Sequence, residues 1–341
     1  MSEDRILLAH GDGGQLMAEL IESVFVSRLG TGEPRGDDSA VLGGTGSQPV
    51  SYNQLVFTTD AFVVEPIFFP GGDIGRLAVC GTVNDLATAG ARPLALSASF
   101  ILEEGLPISD LERIVGSMAE TAQEAQVRVI CGDTKVVPRG SADRVYISTS
   151  GVGGVAEGVH VSGANGKPGD SVLVSGPVGD HGLAVLSRRE GLEFESEIVS
   201  DCAPLAHMVQ SLLAAAPEVH ALRDPTRGGL ATALNEIARQ SQVEIEVVEE
   251  AVPVRPAVAA ACELLGLDPL YAANEGKMVV IVAAEQAEAA LAALRAHPLG
   301  REAALIGQVR EGKPGRVLLQ TPLGTHRVLD RHVGEQMPRI C

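Results

Sequence analysis

The sequence predicts a two-domain protein whose second half is a layered α/β domain, on three observations. A chain of 341 residues is long for a single hydrophobic core, at about 150 residues per domain. The stretch Ser162-Gly-Ala-Asn-Gly-Lys-Pro-Gly169 is dense in turn residues and separates two strand-like runs. Beyond it, helical and strand patterns alternate, as layered α/β structure requires. The expected division is 1–161, 162–330 and a mobile end segment 331–341 carrying Cys341.

The elements follow in chain order. Leu16, Met17, Leu20, Ile21, Val24 and Phe25 recur at helical spacing over 14–29, and Gly30 supplies the stop. A β-branched run around Val56 and Thr58 predicts a strand over 54–59 ending at Asp60, then a Gly/Pro-rich loop and a small-residue helix near 74–90. Ser109 and Glu112 have capping-box spacing for a helix reaching 125. The run at 127–131 reads as a buried strand ending in Gly-Asp-Thr, and 145–152 as another strand. In the second half, strands are expected near 171–175, 243–249 and 278–283, and helices near 181–190, 203–216, 228–240, 256–265 and 285–296.

Composition narrows the function classes. Hydrophobic residues at 45% and charged residues at 21% fit a folded globular chain and exclude wholesale disorder or a fibrous protein. A net charge of -18 repels phosphate backbones and anionic lipid, and with no Trp, 3 Tyr and 7 Phe there is little material for stacking bases. Neither nucleic acid nor membrane is an expected partner. An anionic nucleotide can still bind where cations bridge carboxylates and phosphates. Five Cys at wide spacing, without a Cys-x-x-Cys pair, indicate neither a disulfide framework nor a zinc site, and a reducing cytoplasm is the expected compartment. No basic-then-apolar leader opens the chain and no membrane-length apolar run follows.

Several carboxylates fall at strand ends or Gly-rich turns: Asp38 in GDDSA, Asp60 in TTD, Asp85 after Asn84, Asp133 in GDT, and Asp224 in RDPTRGG. Taken singly, each is a turn or cap former, because Asp bonds its own backbone in such places. Together they supply hard oxygen ligands from separate loops, the donor set for Mg2+ bridging a triphosphate. Gly11, Gly13 and Gly14 of HGDGG precede a predicted helix and offer unhindered N–H groups to phosphate, although the spacing fits neither the Walker nor the dinucleotide-binding fingerprint. Asp12 within that loop opposes a triphosphate unless a cation intervenes. Lys135 and Glu275 lie at the edges of predicted strands, where they form either a catalytic pair or an exposed ion pair. Cys341, behind Met337-Pro-Arg-Ile, is a thiol on a segment free to swing.

Read together, GDDSA, TTD, NDLA, GDTKVV, GDSVLVSGPVGDHGLA at 169–184, RDPTRGGL and the closing PRIC resemble the HypE family of hydrogenase maturation factors, in order over essentially the whole chain. That family belongs to the ATP-binding superfamily of aminoimidazole ribonucleotide synthetase and selenophosphate synthetase. The resemblance implies an N-terminal α+β domain whose strands complete a barrel across a homodimer, and a C-terminal α/β domain with ATP in the cleft. It implies that Asp38, Asp60, Asp85, Asp133 and Asp224 face Mg2+ and phosphates, with Gly11, Gly13, Gly14 and Asn84 near the nucleotide. It further implies that a partner, HypF, carbamoylates Cys341, and that ATP drives dehydration of the group to a thiocyanate. Lys135 and Glu275 would then move protons, and the cyano group would pass to iron carried by HypC and HypD.

Three alternatives remain at this point. Selenophosphate synthetase calls for a reactive Cys or selenocysteine near the N-terminus, whereas the first Cys here is Cys80. Aminoimidazole ribonucleotide synthetase or thiamine-phosphate kinase shares the Asp clusters but has no use for a terminal thiol. A thiol carrier or scaffold would bind ATP without chemistry.

Overall fold

The computed structural model describes residues 14–20, 40–43, 54–192, 198–331, 337 and 339–341. Gly11, Gly13, Asp38 and most of the helix expected over 14–29 therefore lie outside the described residues, which retain α1 (Gln15–Leu20).

The first sheet is built from β1 (Ala40–Gly43), β2 (Gln54–Phe62), β5 (Arg92–Glu103), β6 (Val129–Val137) and β7 (Val145–Val155), in the order β1-β2-β7-β5-β6. All neighbours are antiparallel except β5 and β6, which run parallel because α3 (Ile108–Glu124) carries the chain across between them. Among the described residues this sheet is open and β6 is an edge. β3 (Phe68–Phe69) and β4 (Gly72–Asp73) form a small ribbon leading into α2 (Ile74–Thr88). Asp73 caps α2, accepting from the N–H groups of Gly75 (2.8 Å) and Arg76 (3.1 Å). The small side chains of α2 let it sit in the centre of the molecule, with nearly every residue buried.

The second sheet has seven strands in the order β14-β13-β10-β12-β8-β11-β9: β8 (Ser171–Val174), β9 (Val219–Arg223), β10 (Glu244–Val248), β11 (Val279–Val282), β12 (Ala304–Arg310), β13 (Arg316–Gln320) and β14 (His326–Val328). Helices α4 (Asp180–Glu190), α5 (Ala206–Ala215), α6 (Gly229–Ser241), α7 (Pro256–Leu265) and α8 (Ala287–Ala296) complete this half. One hydrophobic core runs through both halves: Leu77 and Val83 of α2 share it with Met208 and Leu212 of α5 and with Ile340 near the chain end.

Three local expectations need correction. The strand expected to stop at Asp60 continues to Phe62, paired with β7 throughout. The strand expected to end at Gly-Asp-Thr runs through Lys135 to Val137, because the segment pairs residue by residue with β5. The capping box does not form: α3 begins at Ile108 behind Pro107, without a side-chain cap, so Ser109 lies inside the helix.

Candidate active site

A cavity of about 210 Å3 is lined by Thr59 and Asp60 of β2, Gly81 and Asp85 of α2, Asp224, Thr226 and Arg227 of the loop between β9 and α6, Glu275, and Cys341. Five distant stretches of sequence therefore meet at one point. Gly81 matters here through its lack of a side chain, since a Cβ would lie 2.9 Å from Phe62 and 3.4 Å from an Asp60 carboxylate oxygen.

The acidic groups are set by local geometry. Thr58 donates its hydroxyl to Asp85 at 2.8 Å, and the N–H of Ala61 donates to Asp60 at 2.7 Å. Burial raises the Asp60 carboxyl despite the opposing Arg227 guanidinium. Glu275 is 3% exposed, and its Oε1 has no hydrogen-bond partner. Burial, reinforced by Cys202, Asp224, Asp60 and Asp201, holds this carboxyl well above the ordinary range. Burial also pushes the Cys341 thiol up to about 12, against Arg227 and with Glu275, Asp60 and Asp224 adding to the rise. In this pose the sulfur is a neutral thiol and a weak nucleophile.

Glu275 is aimed by its neighbours in Asn274-Glu-Gly-Lys277. Asn274 donates to the carbonyls of Pro225 (2.9 Å) and Ala272 (3.0 Å) and accepts from the N–H of Gly179 (2.8 Å). The N–H groups of Glu275 and Gly276 both donate to Asp201 at 3.1 Å, and Lys277 pairs with that carboxylate at 3.0 Å. Burial would raise Asp201, but the Lys277 ammonium and these N–H donors hold it below its usual value. Gly276 is obligatory: a Cβ would lie 1.8 Å from the carbonyl oxygen of Asp201.

Cys341 reaches the cavity because the chain end is docked. Ile340 is 3% exposed in the main core, and its carbonyl lies 2.9 Å from Nε2 of the fully buried His181. The carbonyl of Arg339 accepts from Arg189 (2.7 Å) and from the N–H of Glu65 (3.2 Å). The segment expected to be mobile is thus packed at residues 337 and 339–341.

Of the residues singled out in the sequence, the cavity brings together Asp60, Asp85, Asp224, Glu275 and Cys341. Asp133 and Lys135 are not among its lining. Two residues apart on β6, they pair with each other at 2.7 Å, both largely exposed. Asn84 is 1% exposed and spends its amide on protein backbone: it donates to the carbonyls of Ala203 (3.1 Å) and Glu275 (3.2 Å) and accepts from the N–H of Leu205 (2.8 Å). Gly14 is buried at the start of α1. Among the described residues no group of three or more His, Cys, Asp or Glu has metal-holding geometry. Arg227 was missed in the sequence, although its place three residues after Asp224 in RDPTRGG was the available signal. His181 and Arg189 carried no such signal, since their roles depend on where the chain end lies.

A two-domain α/β architecture with a carboxylate-lined cleft defines a class, and the chain matches it in both halves: residues 36–155 match the AIR synthase related protein N-terminal domain, and 167–320 its C-terminal domain. The carbamoyl dehydratase HypE of Cupriavidus necator is 55% identical over 338 residues, covering 99% of this chain and 95% of that protein. A crystal structure of HypE in complex with ATP superposes with a TM-score of 0.82 at 49% identity, covering 99% of this chain and all of that one. A HypE–HypF complex gives a TM-score of 0.86 at 48% identity, covering 92% of this chain and 99% of that one. The chain belongs to the HypE family of AIR synthase related proteins.

Proposed function

We propose that the protein is an ATP-dependent carbamoyl dehydratase acting on its own Cys341, and that the meeting of Cys341, Glu275, Arg227 and the three aspartates in one cavity carries this reading. The relatives named carbamoyl dehydratase and the relative solved with ATP support it. Residues 1–161 form the nucleotide half, 162–330 the α/β half, and 331–341 the carrier segment.

The chemistry suits the site. An amide oxygen is a poor leaving group, so the carbamoyl oxygen on the Cys341 sulfur first attacks the γ-phosphoryl group and ADP departs. The resulting imidate ester gives up its nitrogen protons, the C–O bond breaks, phosphate leaves, and a thiocyanate remains on sulfur. Arg227 faces the charge developing on the transferred phosphoryl group. Glu275 is the proton acceptor in the cavity: burial lifts its basicity above that of an ordinary carboxylate, and Oε1 is uncommitted. The step requires water to be excluded, since water would hydrolyse the activated ester.

Asp60, Asp85 and Asp224 would hold Mg2+: they are hard oxygen donors lining the same cavity, and the raised Asp60 carboxyl would gain from a nearby cation. The ion would offset charge on the phosphates. Gly11, Gly13 and Gly14 would approach the nucleotide, and Asp38 would face Mg2+. Lys135 and Asp133, paired on an exposed strand, would join the site only with nucleotide or a second copy present.

A second copy is supported by the outer sheet, where Phe57, Ile101, Val129, Ile130 and Val136 are all exposed. We read this sheet, with its open edge at β6, as the homodimer surface on which the strands of two copies close a barrel. HypF is the proposed carbamoyl donor, supported by the solved HypE–HypF complex, and a HypC–HypD iron carrier the proposed acceptor. No described helix is long and apolar enough to cross a membrane; the cytoplasm is the proposed compartment.

Phosphate release tests the reading. Carbamoylated protein given MgATP should release one phosphate per carbamoyl group, and Cys341→Ala none. Equal release by both would overturn the dehydratase assignment.

A further inference from the structure

The docked end is held through its backbone. The carbonyl of Ile340 lies 2.9 Å from Nε2 of His181, and Nδ1 of that ring lies 2.8 Å from the Ser200 hydroxyl, which accepts from the N–H of Cys202 at 3.1 Å. A carbonyl can only accept, so Nε2 carries the ring proton and Nδ1 accepts from Ser200. The chain of donors is thereby complete and runs one way, from the 200–202 loop through the ring to the tail. Burial keeps this imidazole below its ordinary value, hence neutral and fixed in one tautomer. The edge of Phe69, 5.3 Å away and perpendicular, fixes the ring plane. One residue earlier in the tail, the Arg339 carbonyl takes two donors: the Arg189 guanidinium, whose Nε also holds the Glu65 carbonyl at 2.7 Å, and the Glu65 N–H.

The platform under the tail is shaped for it. A Cβ on Gly182 would lie 2.7 Å from the Met337 sulfur and 3.0 Å from the Ala273 nitrogen, so the tail packs directly against this glycine. Gly179, at φ +93°, and Gly182 also donate their N–H groups to Asn274 and to the Ala273 carbonyl, at 2.8 and 3.0 Å. The same turn therefore positions both the tail and the stretch that aims Glu275. By contrast the side-chain contact of Arg339, an ion pair with the half-exposed Asp143 at 2.8 Å, is of the kind that contributes little.

We propose that His181 and Arg189 are the positioning residues of a backbone latch that holds the Cys341 segment in the cavity and sets how often the thiol leaves it. The inference rests on the reading that Cys341 is loaded outside the cavity and processed within it. A latch that reads carbonyls holds the tail whatever the sulfur carries, so loaded and unloaded chains dock alike. Arg339 and Ile340 need only present their carbonyls, and the hydrophobic anchorage comes from Ile340.

The test needs no ATP and no carbamoyl donor, so its outcome is separate from that of the dehydratase reading. The full chain is treated with iodoacetamide, and alkylation of the peptide containing Cys341 is followed by mass spectrometry, which keeps the other cysteines apart. His181→Leu should alkylate roughly 5-fold faster, from the loss of one hydrogen bond, and Arg189→Met roughly 10-fold faster, from the loss of a charged donor. His181→Gln, which can still present an N–H near Nε2, should return most of the way to the parent rate. A purely structural role would not give that rescue. If His181→Leu fails to fold, the partly exposed Arg189→Met decides the matter. Folded variants that alkylate at the parent rate overturn the latch, as does a His181→Gln chain that alkylates as fast as His181→Leu.

Discussion

Asn84→Ala asks whether this side chain builds the site or touches nucleotide. Its amide joins α2 to three backbone groups of the second half, at 2.8, 3.1 and 3.2 Å. Alanine removes all three bonds and leaves the buried N–H of Leu205 without its acceptor. At about 1 kcal/mol per bond, with about 1–2 kcal/mol more for the orphaned donor, the loss is about 4 kcal/mol. An unfolding entropy of about 2.1 cal/mol/K per residue converts this, for a chain of this length, to a melting temperature lower by roughly 5 °C. Calorimetry on the nucleotide-free chain measures it, and ATP titration of the folded variant should show a change of less than about threefold. An unchanged melting temperature with ATP affinity reduced about tenfold or more would instead make Asn84 a nucleotide contact.

Other outcomes follow from the same geometry. The folded state holds the Glu275 proton more tightly than the unfolded chain does, so the stability from this group is complete below the ordinary carboxyl range and is lost as pH rises through the raised folded value. Glu275→Gln should therefore melt progressively higher than the parent as pH is raised in the absence of nucleotide; a pH-independent difference would contradict this. Gly276→Ala would drive a Cβ to 1.8 Å from the Asp201 carbonyl and should destabilise by about 2–3 kcal/mol in chemical denaturation; an unchanged midpoint would contradict the packing described. Val136→Asp, at a site 69% exposed on the edge strand, should convert a two-copy species to one copy in sedimentation equilibrium. A parent chain that sediments as one copy would remove the dimer reading.

The sequence exposed those features whose signal is local. The Asp224 loop, the small-residue helix α2 and the alternation of the second half were all legible, because Gly, Asp and β-branched residues constrain their own backbone. What failed was decided by pairing partners. Nothing in GDT shows that β6 continues to Val137; alignment with β5 decides that and turns Asp133 and Lys135 into neighbours on a strand. The Ser109–Glu112 spacing was outweighed by Pro107, behind which α3 opens two residues too early for a box. Pattern alone could not tell the Asn84 amide from a ligand contact, since its partners are backbone groups more than 100 residues away. The docked tail was hidden for the same reason: its anchors are carbonyls, which every residue possesses.

The dehydratase reading requires that ATP remove the elements of water from a group held on Cys341. The most direct measurement is the mass of the Cys341 peptide, first after carbamoylation and then after MgATP is added. The expected result is gain of one carbamoyl group followed by loss of one water, with neither change in Cys341→Ala. A carbamoyl mass that persists while ATP is consumed, or a group found on another residue, would contradict it.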